Sequence, residues 1–415
     1  MKSLIALIAL TGAAYAAPFK EIPKNESITP LLEGQREITS LSEIARLGLN
    51  QGKTGIELWS GHYWPHYQGL VGIRYRDMFY QDLIERNTQF KSFKELYEKT
   101  PLYSYRGKEN SLSPAEKYDL LVGDTNMTLT KYSWETSGKA ASISGDVPVW
   151  RGLCDGWSAA SQMMPRPTKP VTLTTPAGLP LTFYPEDLKA LGSLSYGRSQ
   201  NNVIFLGKRC RGAISIFTGS CEGTNPGAFH KALINRVGSM KKSFIADVSP
   251  GKEVWNYPVL DYKISYYNVF TEEESSKFED QMELFTKKNR FYKSSRRHEK
   301  TYAIVGVKAV VTYVDMKKAD LADTDSKARD KYLEKTYEYD LELDRNYNIL
   351  GGEWFGNTMP DFMWAPDDGK YPLSFYERNN GTPKTAVEIS AAAKASSKDG
   401  QPLSVVIERL FELAK

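Results

Sequence analysis

The run Tyr337–Asp344 alternates aromatic or aliphatic residues with acidic ones, and the turn residues Arg345 and Asn346 lead into a return run from Tyr347 to Phe355. A period of two sends successive side chains to opposite faces, so this stretch predicts an antiparallel hairpin with one wet face. Tyr302–Met316 and Asp261–Phe270, rich in Val, Ile and Tyr, are further strand candidates. Upstream the pattern is helical, in Asp82–Arg86, in Lys91–Leu96 and in Pro185–Leu191, which has proline at its first position. Helix first and sheet second predicts an α+β fold. After the strands, Asn379–Gln401 has the Ala, Lys, Ser and Gly composition of a tether. Pro402–Lys415 carries Val405, Val406, Leu410 and Leu413 at the spacing of an amphipathic helix that docks on the core.

The N-terminus reads as an export signal. Met1-Lys2-Ser3 is basic, Leu4–Leu10 is apolar but too short to span a bilayer, and Ala14-Tyr15-Ala16 is a small-x-small cleavage site. A secreted or periplasmic protein is therefore expected, with residues 1–16 removed, an N-terminal extension over 17–110 that has the character of a pro-segment, a catalytic domain over 111–375 and a tail over 376–415. No later segment is apolar enough for stable membrane insertion. The formal net charge of +4 is too small for a nucleic-acid surface. The basic run Lys293–His298 reads as a solvated loop. Three cysteines in an exported chain suggest one disulfide, for which Cys210 and Cys221 are the better pair, and one thiol left over.

That thiol is Cys154, in Arg151-Gly152-Leu153-Cys154-Asp155-Gly156-Trp157, a glycine-bracketed turn running into a helix-compatible segment. Free N–H groups and the partial positive charge at a helix start stabilise a thiolate, so Cys154 is a candidate nucleophile with a lowered pKa. Such a nucleophile needs a base and a group to orient that base. Four histidines exist. His62 and His66 have metal-like spacing, but Pro65 between them argues against a helix interior, and their aromatic patch, with Trp64, is expected to pack against a cleft. His298 lies in the basic run. His230 follows the cysteine, and Asp247 closes the strand-like run that begins at Ser243. Cysteine on a helix, with histidine and aspartate on a following sheet, is the chain order of papain-like and transglutaminase-like enzymes. Asp155 and Asp261 are competing carboxylates.

Val254-Trp255-Asn256-Tyr257-Pro258-Val259 resembles the V-W-N-Q-P-V signature of the oomycete transglutaminase elicitor family, with Tyr257 where that family carries Gln. Similar blocks are the cysteine motif with Trp157, Pro165-Arg166-Pro167, Asn225–His230, Ile245–Val248, Gly351–Trp354 and Pro360–Pro366. The resemblance implies a transglutaminase-like catalytic domain with Cys154 as nucleophile, His230 as base and Asp247 as orienting carboxylate, Trp157 and Trp64 lining the cleft, and glutamine-bearing proteins and lysine or polyamine amines as partners. It also implies that a thioester forms with loss of ammonia. The rival readings are a Cys-dependent amidase, deamidase or peptidase on the same fold, and a non-enzymatic elicitor-like or wall-binding protein. No cofactor is identified. Calcium enters only by analogy with animal transglutaminases, for which Asp320–Asp325 is a poor imitation of a binding loop.

Overall fold

The computed structural model describes residues 22–199, 203–209, 223–286, 297–356, 358–366 and 371–415. The expected signal peptide and the Cys210–Cys221 pair lie outside them. In chain order the helices of the first half are α1 (Leu41–Arg46), α2 (Met78–Arg86), α3 (Phe90–Lys99), α4 (Pro114–Leu121), α5 (Thr128–Ser144), α6 (Cys154–Met163) and α7 (Pro185–Arg198). The strands are β1 (Gln51–Lys53), β2 (Val171–Thr174), β3 (Pro180–Phe183), β4 (Val203–Gly207), β5 (Ile245–Asp247), β6 (Asn256–Tyr267), β7 (Glu274–Ser275), β8 (Glu283–Leu284), β9 (Ala303–Asp315), β10 (Lys331–Leu343), β11 (Ile349–Trp354) and β12 (Phe362–Pro366).

All but β2 and β3 join one antiparallel sheet in the order β11-β10-β9-β6-β5-β12-β4, with β1 and β7 on β6 and β8 on β9. The long valine- and tyrosine-rich strands therefore form its middle. A register shift between Val259 and Asp261 marks a bulge in β6, just past the Asn256–Pro258 segment that pairs with β5; from Val259 on the strand runs along β9 on its other edge. One face of the sheet carries α4 to α7 and the C-terminal helices on a core that includes Trp59, Trp64, Trp157 and Leu191. The other face packs Ile28–Ile44 and the helical stretch from Pro226 to Ser239 on Tyr262, Val307, Tyr337 and Leu341.

Three expectations give way to longer-range contacts. The hairpin β10–β11 forms, with Tyr339 opposite Trp354, but its acidic face is not wet at this end. Asp340 and Glu342 are buried, and Arg297 bonds both of them, at 2.6 and 3.3 Å. The described end of the basic run is accordingly buried rather than solvated. The segment expected as a tether, Asn379–Gln401, takes in the end of the helix Phe375–Asn380 and the whole of the helix Ala386–Ser397. A capping box between Thr385 and Glu388 starts the second, and its small residues Ala392 and Ala393 are buried, as close packing on α5 allows. The terminal helix Ser404–Ala414 does dock, burying Ile407, Leu410 and Phe411.

Below α6 the chain turns at Pro165, and Arg166 enters a buried charge cluster. Its guanidinium reaches Asp325 at 2.9 Å, Asp330 at 2.6 Å and the Leu58 carbonyl at 2.9 Å, while Lys189 shares Asp325 at 2.8 Å. Removing one partner from such a cluster strands the others without water. Arg166→Leu is expected to destabilise the protein by roughly 3–5 kcal/mol, read as a fall in urea midpoint at unchanged slope. A loss under about 1 kcal/mol, the worth of a surface pair, would contradict this picture of the cluster.

Candidate active site

The cysteine turn is shaped by two close approaches that only glycine permits. A Cβ on Gly152 would lie 2.4 Å from the Tyr63 carbonyl, and one on Gly156 would lie 2.0 Å from the Ser193 carbonyl of α7. The Tyr63 carbonyl also accepts the Leu153 N–H at 2.5 Å, so the aromatic segment His62–Tyr67 is fastened against the turn that delivers Cys154 as first residue of α6. The expected helix start is there. The lowered thiol pKa is not: burial, then the neighbouring charge of Asp155, pushes the thiol up to about 12, against a smaller pull from Asn256.

Across from the thiol, β5 and β6 form a hairpin in which Asp247 and Asn256 are cross-strand partners. The Asp247 Oδ1 accepts the Trp255 N–H at 2.9 Å and the Ser249 N–H at 3.3 Å, which ties the connecting loop. Its Oδ2 is buried without a hydrogen-bond partner among the described residues. Burial, reinforced by the charge of Asp361, raises this carboxyl to about 7 despite those N–H bonds. The loop ends by setting the Val254 carbonyl and the Asn256 Nδ2 each 3.6 Å from the Cys154 Sγ. The other end of the Asn256 amide, Oδ1, accepts the Trp364 indole N–H at 2.8 Å.

His230, expected on the sheet, lies instead on the helix Pro226–Ala232, which Asn225 caps and Pro226 opens. Its ring packs in the second core, with Nδ1 2.8 Å from the Tyr339 hydroxyl and Nε2 without a partner among the described residues. The structure thus links Asp247 to Cys154 through its cross-strand partner Asn256, and His230 is not among the hydrogen-bond partners of Cys154 in the described residues. Asp155 also borders the site, whereas Asp261 lies farther along β6, paired with Lys53 and Thr312.

Burial holds the His230 imidazole neutral down to about pH 3. The unfolded chain protonates it near 6.5, so unfolding takes up a proton between these values and stability is lost as the pH falls below 6.5. From pH 7 to pH 5 the native protein should lose about 2 kcal/mol more than His230→Gln, measured by urea unfolding at each pH. Parallel stability curves would contradict a buried neutral ring.

Trp64 and Trp157 are both fully buried, so they form a wall beneath the turn rather than an accessible surface. Trp157 donates to the Trp59 carbonyl at 3.3 Å, and Trp64 adopts a left-handed backbone, φ 44°. His62 is engaged through Nδ1 with the Lys317 carbonyl at 3.1 Å and through Nε2 with Gln68 at 3.4 Å. A cavity of about 470 Å³, lined by Asp155, Tyr196, Val254, Asn256, Phe362 and Trp364 among others, opens next to the two residues that contact the thiol. Asn256 and Trp364 were missed as site residues by the sequence reading. Both stand in blocks singled out there for their resemblance alone, and only the pairing of β5, β6 and β12 shows that Trp364 meets the asparagine that contacts the thiol. The residues of Asp320–Asp325 do not fit a calcium loop. Asp320 is paired with Lys317 and Arg329, and Asp325 with Arg166 and Lys189; no group of three or more His, Cys, Asp or Glu suited to a metal occurs among the described residues.

Among solved structures, the chain is similar to the GP42 transglutaminase from Phytophthora sojae, with a TM-score of 0.59 and 21% identity over 90% of this chain and 98% of that one. At that identity the likeness shows the fold. No curated protein matches. The transglutaminase elicitor family matches residues 37–372, which include Cys154, the β5–β6 hairpin and Trp364. The chain belongs to the transglutaminase elicitor family.

Proposed function

We propose that this protein is a secreted protein-glutamine acyltransferase that works through a thioester on Cys154. The observation that carries the reading is the placement of a free thiol at the start of α6, facing a hairpin that offers it the Asn256 amide and carries Asp247 opposite that residue, in a chain of this family. The fold likeness to GP42 transglutaminase supports it. Export rests on the N-terminal sequence, and no helix among the described residues is long and apolar enough to cross a membrane.

The reaction follows from these groups. The Sγ electron pair forms a bond to the carbon of a glutamine carboxamide, the carbonyl pair moves to oxygen, and the thiol proton passes to a base. The tetrahedral intermediate then collapses. The C–N bond breaks, the same proton goes to the leaving nitrogen, and ammonia departs from a thioester. A primary amine attacks that thioester to give an isopeptide bond and return the thiol; water in its place gives glutamate.

For the base, Asp247 is favoured, because it stands opposite Asn256, whose amide reaches the thiol, its Oδ2 is buried without a hydrogen-bond partner among the described residues, and burial raises its carboxyl to about 7. A base with a pKa near the working pH gives the best product of availability and strength. His230 is the competing assignment, supported by an Nε2 without a partner among the described residues and by its place in the Asn225–His230 block that resembles the family's.

Purified protein incubated with a glutamine peptide and a fluorescent primary amine tests the reading. Amine incorporation with ammonia release supports it. Ammonia alone, at saturating amine, would mean a deamidase, and neither product would leave a binding protein.

A further inference from the structure

We infer that the side-chain amide of Asn256 is the oxyanion donor of this site and that Trp364 is the residue that aims it. The inference rests on the acyltransfer reading and adds to it the group that meets the developing negative charge. An indole N–H can only donate. Trp364 at 2.8 Å therefore fixes Oδ1 as the near end of the Asn256 amide, and the NH₂ group must face Cys154, at 3.6 Å from Sγ. Asn256 is 3% exposed and held in the sheet by its pairing with β5, so little water competes and little reorganisation is needed. The thiol hydrogen has a separate acceptor in the Val254 carbonyl, so the Asn256 N–H meets the sulfur as a donor and not as a rival for that hydrogen. Asn256, Trp364 and the other thiol contact, Val254, also line the cavity, and a glutamine side chain entering there would meet the Asn256 amide.

When Sγ adds to the carboxamide carbon, the C=O pair becomes an alkoxide on an atom next to sulfur. An N–H that touches sulfur in the free enzyme is then close enough to shift onto that oxygen. Loss of one such donor typically costs about 10²–10³ in kcat.

The test compares turnover with a reaction of the same thiol that forms no oxyanion. Alkylation of Cys154 by iodoacetamide displaces iodide at a saturated carbon. In Asn256→Ala, kcat for amine incorporation should fall about 10²–10³-fold with KM little changed, while the alkylation rate falls far less. Asn256→Asp, which can still accept from Trp364 but presents no N–H to the substrate, should show the same loss of kcat. Trp364→Phe keeps an aromatic ring and loses the N–H. It should lower kcat by a smaller factor, and the Asn256→Ala, Trp364→Phe double variant should be no slower than Asn256→Ala.

Near-native kcat in Asn256→Ala would overturn the inference. So would equal losses of turnover and alkylation, which would make the amide a support for the thiol alone. Additive losses in the double variant would sever Trp364 from Asn256. If the native protein turned over no glutamine peptide while Cys154 still alkylated, the acyltransfer reading would fail and this role with it, an outcome distinct from an active enzyme indifferent to Asn256.

Discussion

Cys154→Ala removes amine incorporation and ammonia release altogether, with the melting temperature close to that of the native protein. The first half follows from chemistry. No other described residue offers a nucleophile at the junction of α6, the Val254 carbonyl and the Asn256 amide, and the thioester needs sulfur. The second half follows from packing. The turn is held by Gly152 against Tyr63, by Leu153 N–H on the Tyr63 carbonyl and by Gly156 against Ser193, none of which involves the sulfur. The two weak contacts that Sγ makes are at 3.6 Å, so losing them leaves a small gap and no strong bond broken. Far-ultraviolet circular dichroism and thermal melting check the fold, and the amine assay checks the chemistry. Residual incorporation above background would move the nucleophile elsewhere.

The second large effect lies in the proton partner of that thiol. Asp247→Asn is expected to lower kcat by about two to four decades, the usual contribution of a general base, with a much smaller change in KM. The carboxyl titrates at about 7 and serves as base only when ionised, so native kcat should rise with pH through about 7 and the variant should lose that limb. His230→Gln should cost far less, since the ring bonds Tyr339 in the opposite core. The reverse pattern, a large loss in His230→Gln with the pH limb intact in Asp247→Asn, would return the base to His230 and require Asp247 to act only by tying the Ser249–Trp255 loop.

Much of the fold was legible in sequence because the signals were local. Tyr337, Tyr339, Leu341 and Leu343 alternate with acids and do form one buried row of β10, and a run such as Ala309–Val314 needs only its own composition to pair as part of β9. The start of α6 at Cys154 was equally local, marked by two glycines. What was not legible depends on partners far along the chain. The alternation at Asp340 and Glu342 says nothing of Arg297, which covers them. Residues Ala386–Ser397 have the composition of a linker, yet small side chains are also what a helix packed close on α5 requires. The candidate site divides the same way. Cys154 and Asp247 were readable from their places at the ends of local elements. The helix holding His230 was announced by Asn225 and Pro226, though the resemblance drew attention to the histidine and not to the cap. Asn256 and Trp364 carry no individual signal, since an asparagine in a strand and a tryptophan in another become one unit only through the 2.8 Å bond between them.

The most direct test of the account is the covalent intermediate. Native protein mixed with a glutamine peptide in the absence of amine, quenched in acid within the first turnovers and digested, should show the segment bearing Cys154 heavier by the peptide less one ammonia, and the adduct should vanish on addition of a primary amine as the isopeptide product appears. Product formation with no adduct at Cys154, or an adduct on any other residue, would contradict a thioester mechanism at the start of α6.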